Sequence, residues 1–476
     1  MTLSIFDAAR GEPTRVAVIE RDDELTYAEL AGRVAQRVRE LEEAGVLDAR
    51  GERPVAVVAR STLRTVETLL ALFATGTPAL LLHARSSERE HAALRERAGA
   101  AMAPESAENT PCSTPRATEE PSRAPSPAVP VFDPERIAAL VATSGSTGEP
   151  RIARLSHRAL LAAASGLAQH LGVEDDRWLL ALPLAHIGGL SILVRALTER
   201  RALVLFAPER SLLAELDVLT RVIERQRVTL VSLVPTLLAR LLEPPLAWRP
   251  PPSLRLVLLG GAPIPRDLVV RARAAGIPVI PTYGMTETCA AAALGRYGDR
   301  LDMNPPPAEL LHSGVTIPGV ELRITDGVIH VRGPTLFSGY LGDAPARPRD
   351  AWFTTSDRGV FDARGELTVS GRTTDVIITG GENVDPAEVE AALLAVPGVR
   401  LACVFGCPDA TFGEIVTALV VTQPDGPRSA RELTAALTNL APHQRPRRVE
   451  LVAELPLTPA GKVDRRTAKT VFLRTI

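Results

Sequence analysis

Thr143-Ser144-Gly145-Ser146-Thr147-Gly148-Glu149-Pro150-Arg151 packs two glycines and four hydroxyl side chains into nine residues. Ahead of it runs Ile137-Ala-Ala-Leu-Val-Ala-Thr143, a short apolar run that reads as a buried strand. After it comes a helical pattern from about Arg158 to Leu171. Strand, Gly/Ser/Thr loop, helix is an order suited to binding phosphate. Glycines let the backbone approach an anion without a Cβ in the way. Hydroxyls and successive loop N–H groups donate to its oxygens. The stretch lacks the G-x-x-x-x-G-K-[ST] pattern of nucleoside-triphosphatase loops, and no Lys follows Gly148. Alone, it reads equally well as a Ser/Gly turn, so the rest of the chain has to decide.

The chain has 476 residues, enough for two or more domains, with ordinary apolar content and few aromatics. Its formal net charge of −2 gives no reason to expect nucleic acid or an anionic membrane as partner. Met1-Thr-Leu-Ser-Ile-Phe-Asp has no basic region followed by an apolar core, so no secretory signal is expected. The apolar runs 179–184 and 192–197 are broken by Pro, His and Arg, far short of a membrane span. Four cysteines (Cys112, Cys289, Cys403, Cys407) in so long a chain suggest reduced thiols in a cytoplasm. Cys403 and Cys407 lack metal-finger spacing and read as structural.

Working outward, residues 14–100 alternate strand-like and helical runs. Residues 15–19 and 55–58 read as strands; 26–44, 61–75 and 87–98 read as helices, with Thr26 as an N-cap. That order predicts a mostly parallel sheet covered on both faces. Residues 101–134 are rich in Pro, Ser, Thr, Ala and Glu and read as an exposed, mobile insertion. Beyond the loop, a strand from Trp178 ends near Pro183, Gly188 and Gly189 make a turn, and an apolar helix follows. His186 in that run reads by itself as a satisfied core histidine. Residues 228–236 and 254–263 are strands entering turns, and Gly260-Gly261 would let a flat ligand pass the backbone. Short strands and turns fill 319–361. A smaller α+β pattern closes the chain, with strands at 399–405, 415–421 and 449–454 and a helix at 430–440. Pro386 sits at the first helical position after Asp385.

Residues 143–151 resemble the phosphate loop of the adenylate-forming superfamily: acyl-CoA synthetases, luciferases and peptide-synthetase adenylation domains. The family usually has Lys where this chain has Arg151. Further motifs occur in the family's order. They are Pro183-Leu-Ala-His186, Tyr283-Gly284-Met285-Thr286-Glu287, Thr355-Ser356-Asp357, Gly371-Arg372 with Thr374 at the hinge position, and Pro456-Leu-Thr-Pro-Ala-Gly461-Lys462, a Pro-x-x-x-x-Gly-Lys loop. The resemblance covers nearly the whole chain except 101–134. It implies a large α/β N-terminal domain over 1–373, with layered sheets, flanking helices and a small β-rich subdomain, then a mobile α+β lid over 374–476.

The resemblance also implies roles. Thr143, Ser144, Gly145, Ser146, Thr147, Gly148 and Arg151 would hold ATP phosphates. Gly260, Gly261, Ala262, Tyr283, Gly284 and Met285 would hold the nucleotide, with the Tyr283 ring against adenine. Thr286 would reach phosphate; Glu287 and Thr147 would serve Mg²⁺. Asp357 would accept from the ribose diol, Arg372 would bind ribose and phosphate, and Lys462, Thr286, Glu287 and His186 would be the catalytic residues. His186, Gly188 and Gly189 would line the acyl pocket, with Ala185 where the family often has an aromatic. Thr374 would be the hinge that brings Gly380 and Gly381 along the thiol tunnel. ATP, Mg²⁺, coenzyme A and a small carboxylic acid are the implied ligands; a homodimer is left open. Within the superfamily, 176–190, 231–242 and 377–383 are most similar to the o-succinylbenzoate–CoA ligase family of menaquinone synthesis. Other aryl or short- to medium-chain acyl-CoA synthetases, a carrier-protein-loading adenylation enzyme and a non-catalytic ligand-binding relative are the alternatives.

Overall fold

The computed structural model describes residues 2–48, 50–104, 133–143, 150–172, 174–210, 212–301, 313–343, 348, 350–458 and 461–475. They form two compact units. One comprises Met1–Ala207, Thr286–Ala290 and Pro334–Pro348; the other comprises Pro208–Met285, Ala291–Gly333 and Arg349–Ile476. The expected division at 373/374 falls inside the second unit.

In the first unit a five-stranded sheet runs in the order Ala101–Met102, Val55–Val58, Ala79–Leu82, Ile137–Thr143, Arg151–Ser156. The pairs among the first four are parallel. The last is antiparallel, Thr143 facing Arg151 and Ile137 facing Ser156. This corrects the expected strand–loop–helix: a second strand, Arg151–Ser156, intervenes before helix His157–Leu171. Ile152, Ala153 and Leu155 of that strand are fully buried, and burying them requires the hairpin. Ser156 then caps the helix, its hydroxyl accepting from Ala159 N–H at 3.2 Å. The loop residues Ser144, Gly145, Ser146, Thr147 and Gly148 lie outside the described residues. The insertion also begins later than expected, because Ala101–Met102 is a sheet-edge strand on Val55-Ala56; residues 105–132 lie outside the described residues.

Beside that sheet's helices, Arg177–Leu180, Ala202–Leu205 and Val16–Glu20 pair in parallel, and Asp23–Thr26 turns back on the last. Helix Tyr27–Glu43 starts at Thr26 in a capping box with Glu29. Helix Leu63–Thr75 is buried from Thr65 to Ala74 and reads as a core helix. Helix Ile187–Glu199 begins immediately after His186, so Gly188 and Gly189 lie in its first turn and not in a preceding turn. The physical reason is close packing: a Cβ on Gly189 would lie 2.3 Å from Pro183 O and 2.5 Å from Leu182 O.

In the second unit, Leu230–Leu233, Leu256–Leu259 and Val279–Met285 pair in parallel. Ala290–Leu294 pairs antiparallel with Val315–Thr316. A four-stranded antiparallel sheet follows: Glu321–Thr325, Val328–Arg332, Phe353–Phe361, Leu367–Arg372. This is the expected β-rich subdomain.

The remainder is built on the hairpin Val399–Asp409 and Gly413–Thr422, flanked by Arg448–Leu451 and by Ile377–Thr379 with Glu382–Val384. Alternation along the strand splits its side chains between two cores. Val404 packs with Val389, Leu393 and Leu433; Cys403, Phe405 and Cys407 pack with Phe472. The two cysteines are thus core residues, and burial pushes the Cys403 thiol up to about 12. Helix Ala430–Ala436 is shorter than expected, and helix Arg465–Thr475, absent from the sequence reading, closes the second core. Among the described residues no helix is long and apolar enough to cross a membrane.

Candidate active site

In the first unit, Thr286–Thr288 forms a single 3₁₀ turn, after which Cys289 and Ala290 carry positive φ values of 53° and 103°. That reversal is uncommon for residues with a Cβ. Tyr340 donates its hydroxyl to Glu287 Oε1 at 2.5 Å, and Phe337 N–H donates to Glu287 O at 2.9 Å. Burial, then the Glu287 charge and hydrogen bond, push the Tyr340 phenol well above its ordinary pKa, so it remains a donor. The Arg151 guanidinium lies 3.4 Å over the Tyr340 ring centre and 3.4 Å from either Asp343 carboxylate oxygen. A stacked planar cation is something Lys could not supply in the same form. Thr143 donates its hydroxyl to Arg151 O at 3.2 Å and so closes the hairpin.

His186 stands just ahead of its helix, its ring centre 5.2 Å from that of His83. Burial, then the Arg85 charge, lowers the His83 pKa, which favours a neutral ring there.

In the second unit, Asp357 lies mid-strand and is held on both oxygens. Tyr283 donates to Oδ2 at 3.0 Å and Arg372 to Oδ1 at 3.0 Å. Asp357 and Arg372 are register partners across neighbouring strands. Tyr283 is buried, and its phenol pKa is raised by burial first and by Asp357 second.

Gly260 is glycine for an intramolecular reason: a Cβ there would meet Thr282 Oγ1 at 2.1 Å. Gly261, at φ +79°, faces the end of Lys462, whose Cε and Nζ would lie 3.3 Å from its missing Cβ. Ala262 follows in the same turn. Lys462 sits on a short hairpin in which Leu457 bridges Val463 and Thr458 N–H donates to Lys462 O at 2.7 Å. The hydroxyl of Thr236 donates to Gly461 O. Burial, then the nearby Arg372 charge, lowers the Lys462 pKa, and among the described residues no carboxylate raises it back. A buried cation left in that state favours the arrival of an anion.

Thr374 is exposed, its hydroxyl 3.2 Å from Asp375 Oδ1. Gly380 and Gly381, at φ +58° and +86°, form the two-residue turn between Ile377–Thr379 and Glu382–Val384, a primed turn that glycine suits. Asp385 caps helix Pro386–Leu394, accepting from Ala387 N–H at 2.9 Å. Its carboxylate occupies the space beside Gly371, where a Cβ would come within 2.0 Å of Oδ2.

The model of the family described as "AMP-binding enzyme" matches residues 5–341, and that of "AMP-binding enzyme C-terminal domain" matches 388–462. The chain belongs to the AMP-binding enzyme family. The 2-succinylbenzoate–CoA ligase of Bacillus licheniformis is 33% identical over 95% of this chain and 96% of its own length. Two solved structures of the o-succinylbenzoate CoA synthetase of Bacillus subtilis share the architecture. The complex with the acyl-adenylate intermediate OSB-AMP has a TM-score of 0.82 at 29% identity, over 98% of this chain and 97% of that one. The complex with ATP and magnesium ion has a TM-score of 0.80 at 30% identity, over 98% of both chains. Like these AMP-binding enzymes, the chain combines a large α/β N-terminal part with a small α+β C-terminal part.

The sequence reading missed Tyr340, the partner of Glu287; only its place after Gly339 hinted at a turn residue. It also missed Thr236 and Arg465, which hold the segment carrying Lys462.

Proposed function

We propose that this AMP-binding enzyme is an AMP-forming 2-succinylbenzoate–CoA ligase. The observation that carries the reading is its near-full-length likeness to ligases of that name. The buried, uncompensated Lys462 ammonium supports it from within the chain.

In the first half-reaction, an oxygen of the succinyl carboxylate attacks the α-phosphorus of ATP. The bond to pyrophosphate breaks and the acyl-adenylate forms. Negative charge grows between nucleophile and leaving group, and the Lys462 ammonium and the Arg372 guanidinium offset it. Asp357, fixed by Tyr283 and Arg372, accepts from the ribose hydroxyls. In the second half-reaction, the coenzyme A sulfur attacks the acyl carbon and AMP leaves.

Glu287 would hold Mg²⁺. A single oriented carboxylate suits an ion that binds chiefly through ATP phosphates, and among the described residues no group of three His, Cys, Asp or Glu forms a protein cage. Bound there, the ion would offset phosphate charge. Arg151, engaged by Tyr340 and Asp343, supports the loop from its edge. We place the division between large domain and lid at 373/374, with Thr374 as hinge; rotation there would withdraw Lys462 and bring Gly380 and Gly381 to the thiol path. The reading extends to a cytoplasmic location, which the buried thiols of Cys289 and Cys403 favour, and to a homodimer, which rests on the resemblance and is checked by sedimentation.

The test is kcat/KM for CoA-dependent AMP release from o-succinylbenzoate, benzoate and a medium-chain fatty acid. We expect o-succinylbenzoate to lead by a wide margin, because groups that satisfy its second carboxylate are left unpaired by the other acids. A fatty acid or benzoate as best substrate overturns the assignment.

A further inference from the structure

Arg465 begins helix Arg465–Thr475, three residues after Lys462. Its guanidinium spans two elements. One side pairs with both oxygens of Glu390, each at 2.8 Å. The other side pairs with Asp375.

The two carboxylates differ in what they require. Glu390 is buried within helix Pro386–Leu394, and burial pushes its pKa up; Oε1 also accepts from Val404 N–H at 2.8 Å. A buried carboxylate of that kind needs a cation for the fold itself. Asp375 is different. Its side chain is 30% exposed, and it sits directly after Thr374, whose hydroxyl it accepts. Solvent could satisfy Asp375, so the fold alone gives Arg465 no reason to reach it.

Position supplies the reason. Asp375 is the first residue beyond the hinge, and Arg465 anchors the base of the hairpin carrying Lys462. The pair ties the start of the lid to the stem of the Lys462 loop, 90 residues apart in the chain. The loop's other hold, Thr236 to Gly461, comes from the first turn of helix Pro235–Leu242, outside the lid. That contact must break when the lid turns; the Arg465–Asp375 pair need not.

We propose that Arg465 is a positioning residue that fixes Lys462 through Asp375, so that hinge and catalytic loop move as one piece. The proposal rests on the reading of Lys462 as the residue of the adenylation half-reaction.

The test measures both half-reactions in the full-length enzyme: pyrophosphate release from ATP and acid, and thioester formation from supplied acyl-adenylate and coenzyme A. Lys462→Ala sets the reference. Asp375→Asn keeps shape and leaves the Glu390 pair in place. We expect it to lower the adenylation kcat by on the order of 10- to 100-fold, the scale of a small misplacement of a reacting group. KM for ATP and the rate of the second half-reaction should stay near wild type. Arg465→Met should do the same and also lower the melting temperature; Arg465→Lys, which keeps the charge, should recover part of the adenylation rate. Wild-type adenylation in Asp375→Asn, or equal loss in both half-reactions, overturns the proposal. If Lys462→Ala leaves adenylation intact, the reading of Lys462 falls first and the proposal falls with it.

Discussion

Glu287 in the first compact unit and Asp357 in the second each accept a hydrogen bond from a tyrosine hydroxyl, and they are held differently. Glu287 accepts from Tyr340 on one oxygen. Asp357 accepts from Tyr283 on one oxygen and from Arg372 on the other. Glu287 sits on a single 3₁₀ turn ended by two residues of positive φ; Asp357 sits mid-strand with its main chain in a ladder. One is oriented and, among the described residues, still has an oxygen to give to a hard cation. The other is locked, with only further lone pairs to offer a neutral hydroxyl. On the proposed roles, the same residue chemistry would serve two ends, set by how many protein donors each carboxylate already has.

Several changes would break or sharpen that contrast. The largest effect should come from Glu287→Gln. If its second oxygen serves the ion, ATP–pyrophosphate exchange should fall by on the order of 10²- to 10³-fold, the scale of losing one preorganised electrostatic contact. Higher Mg²⁺ should restore part of it, as titration of exchange against Mg²⁺ will show. A fall that no Mg²⁺ concentration relieves would count against the assignment.

Asp357→Ala should act on both fold and binding. It strips the buried Tyr283 hydroxyl and Arg372 of their acceptor, at about 1–3 kcal/mol for a buried group left unpaired. Thermal unfolding and KM for ATP should both worsen, whereas Glu287→Gln should leave the melting temperature nearly unchanged.

The pH profile of the wild type comes next. If Lys462 serves adenylation as proposed, it must carry its proton, and burial together with Arg372 lowers its pKa. The charge is therefore lost as pH rises through a midpoint below the ordinary lysine value of about 10.4. Adenylation should show an alkaline limb there that thioester formation from supplied acyl-adenylate lacks. A limb shared by both half-reactions would assign it to another group.

The smallest effects should separate the two tyrosines. Tyr340→Phe keeps the ring under Arg151 but frees Glu287, and should raise the Mg²⁺ requirement a few-fold with little loss of stability. Tyr283→Phe should cost about 1 kcal/mol of stability, one net hydrogen bond, and leave the Mg²⁺ requirement alone. Exchanged phenotypes would mean that the two carboxylates have each other's roles.

Much of the fold was legible because its signals are local. Thr26 and Ser87 cap the helices they precede, Pro386 stands at the first helical position, and the buried run 137–143 is a strand. Strand Arg151–Ser156 escaped because its six residues mix arginine with apolar residues, and only pairing with 137–143 makes it extended. The site was legible as a set of residue types and hidden as a set of partners. Tyr340 lies 53 residues from Glu287, Tyr283 lies 74 from Asp357, and Arg465 lies 90 from Asp375. Nothing in local propensity records such pairings; they exist only once the sheets have set their registers. Gly260 shows the same limit, because its lack of a side chain answers to Thr282 on the next strand.

Gly371 is the next-to-last residue of strand Leu367–Arg372, and the carboxylate of Asp385 fills the place its side chain would take. With Thr374 as the proposed hinge, this fit would make the start of the lid behave as a keyed joint. A joint with such small tolerance is either seated or open, with few stable positions between. The balance between two seated arrangements then depends on small free-energy differences, and about 1.4 kcal/mol is enough to change their ratio tenfold. On that proposal, one hydrogen atom at position 371 would bear on how the enzyme divides its time between making the adenylate and consuming it.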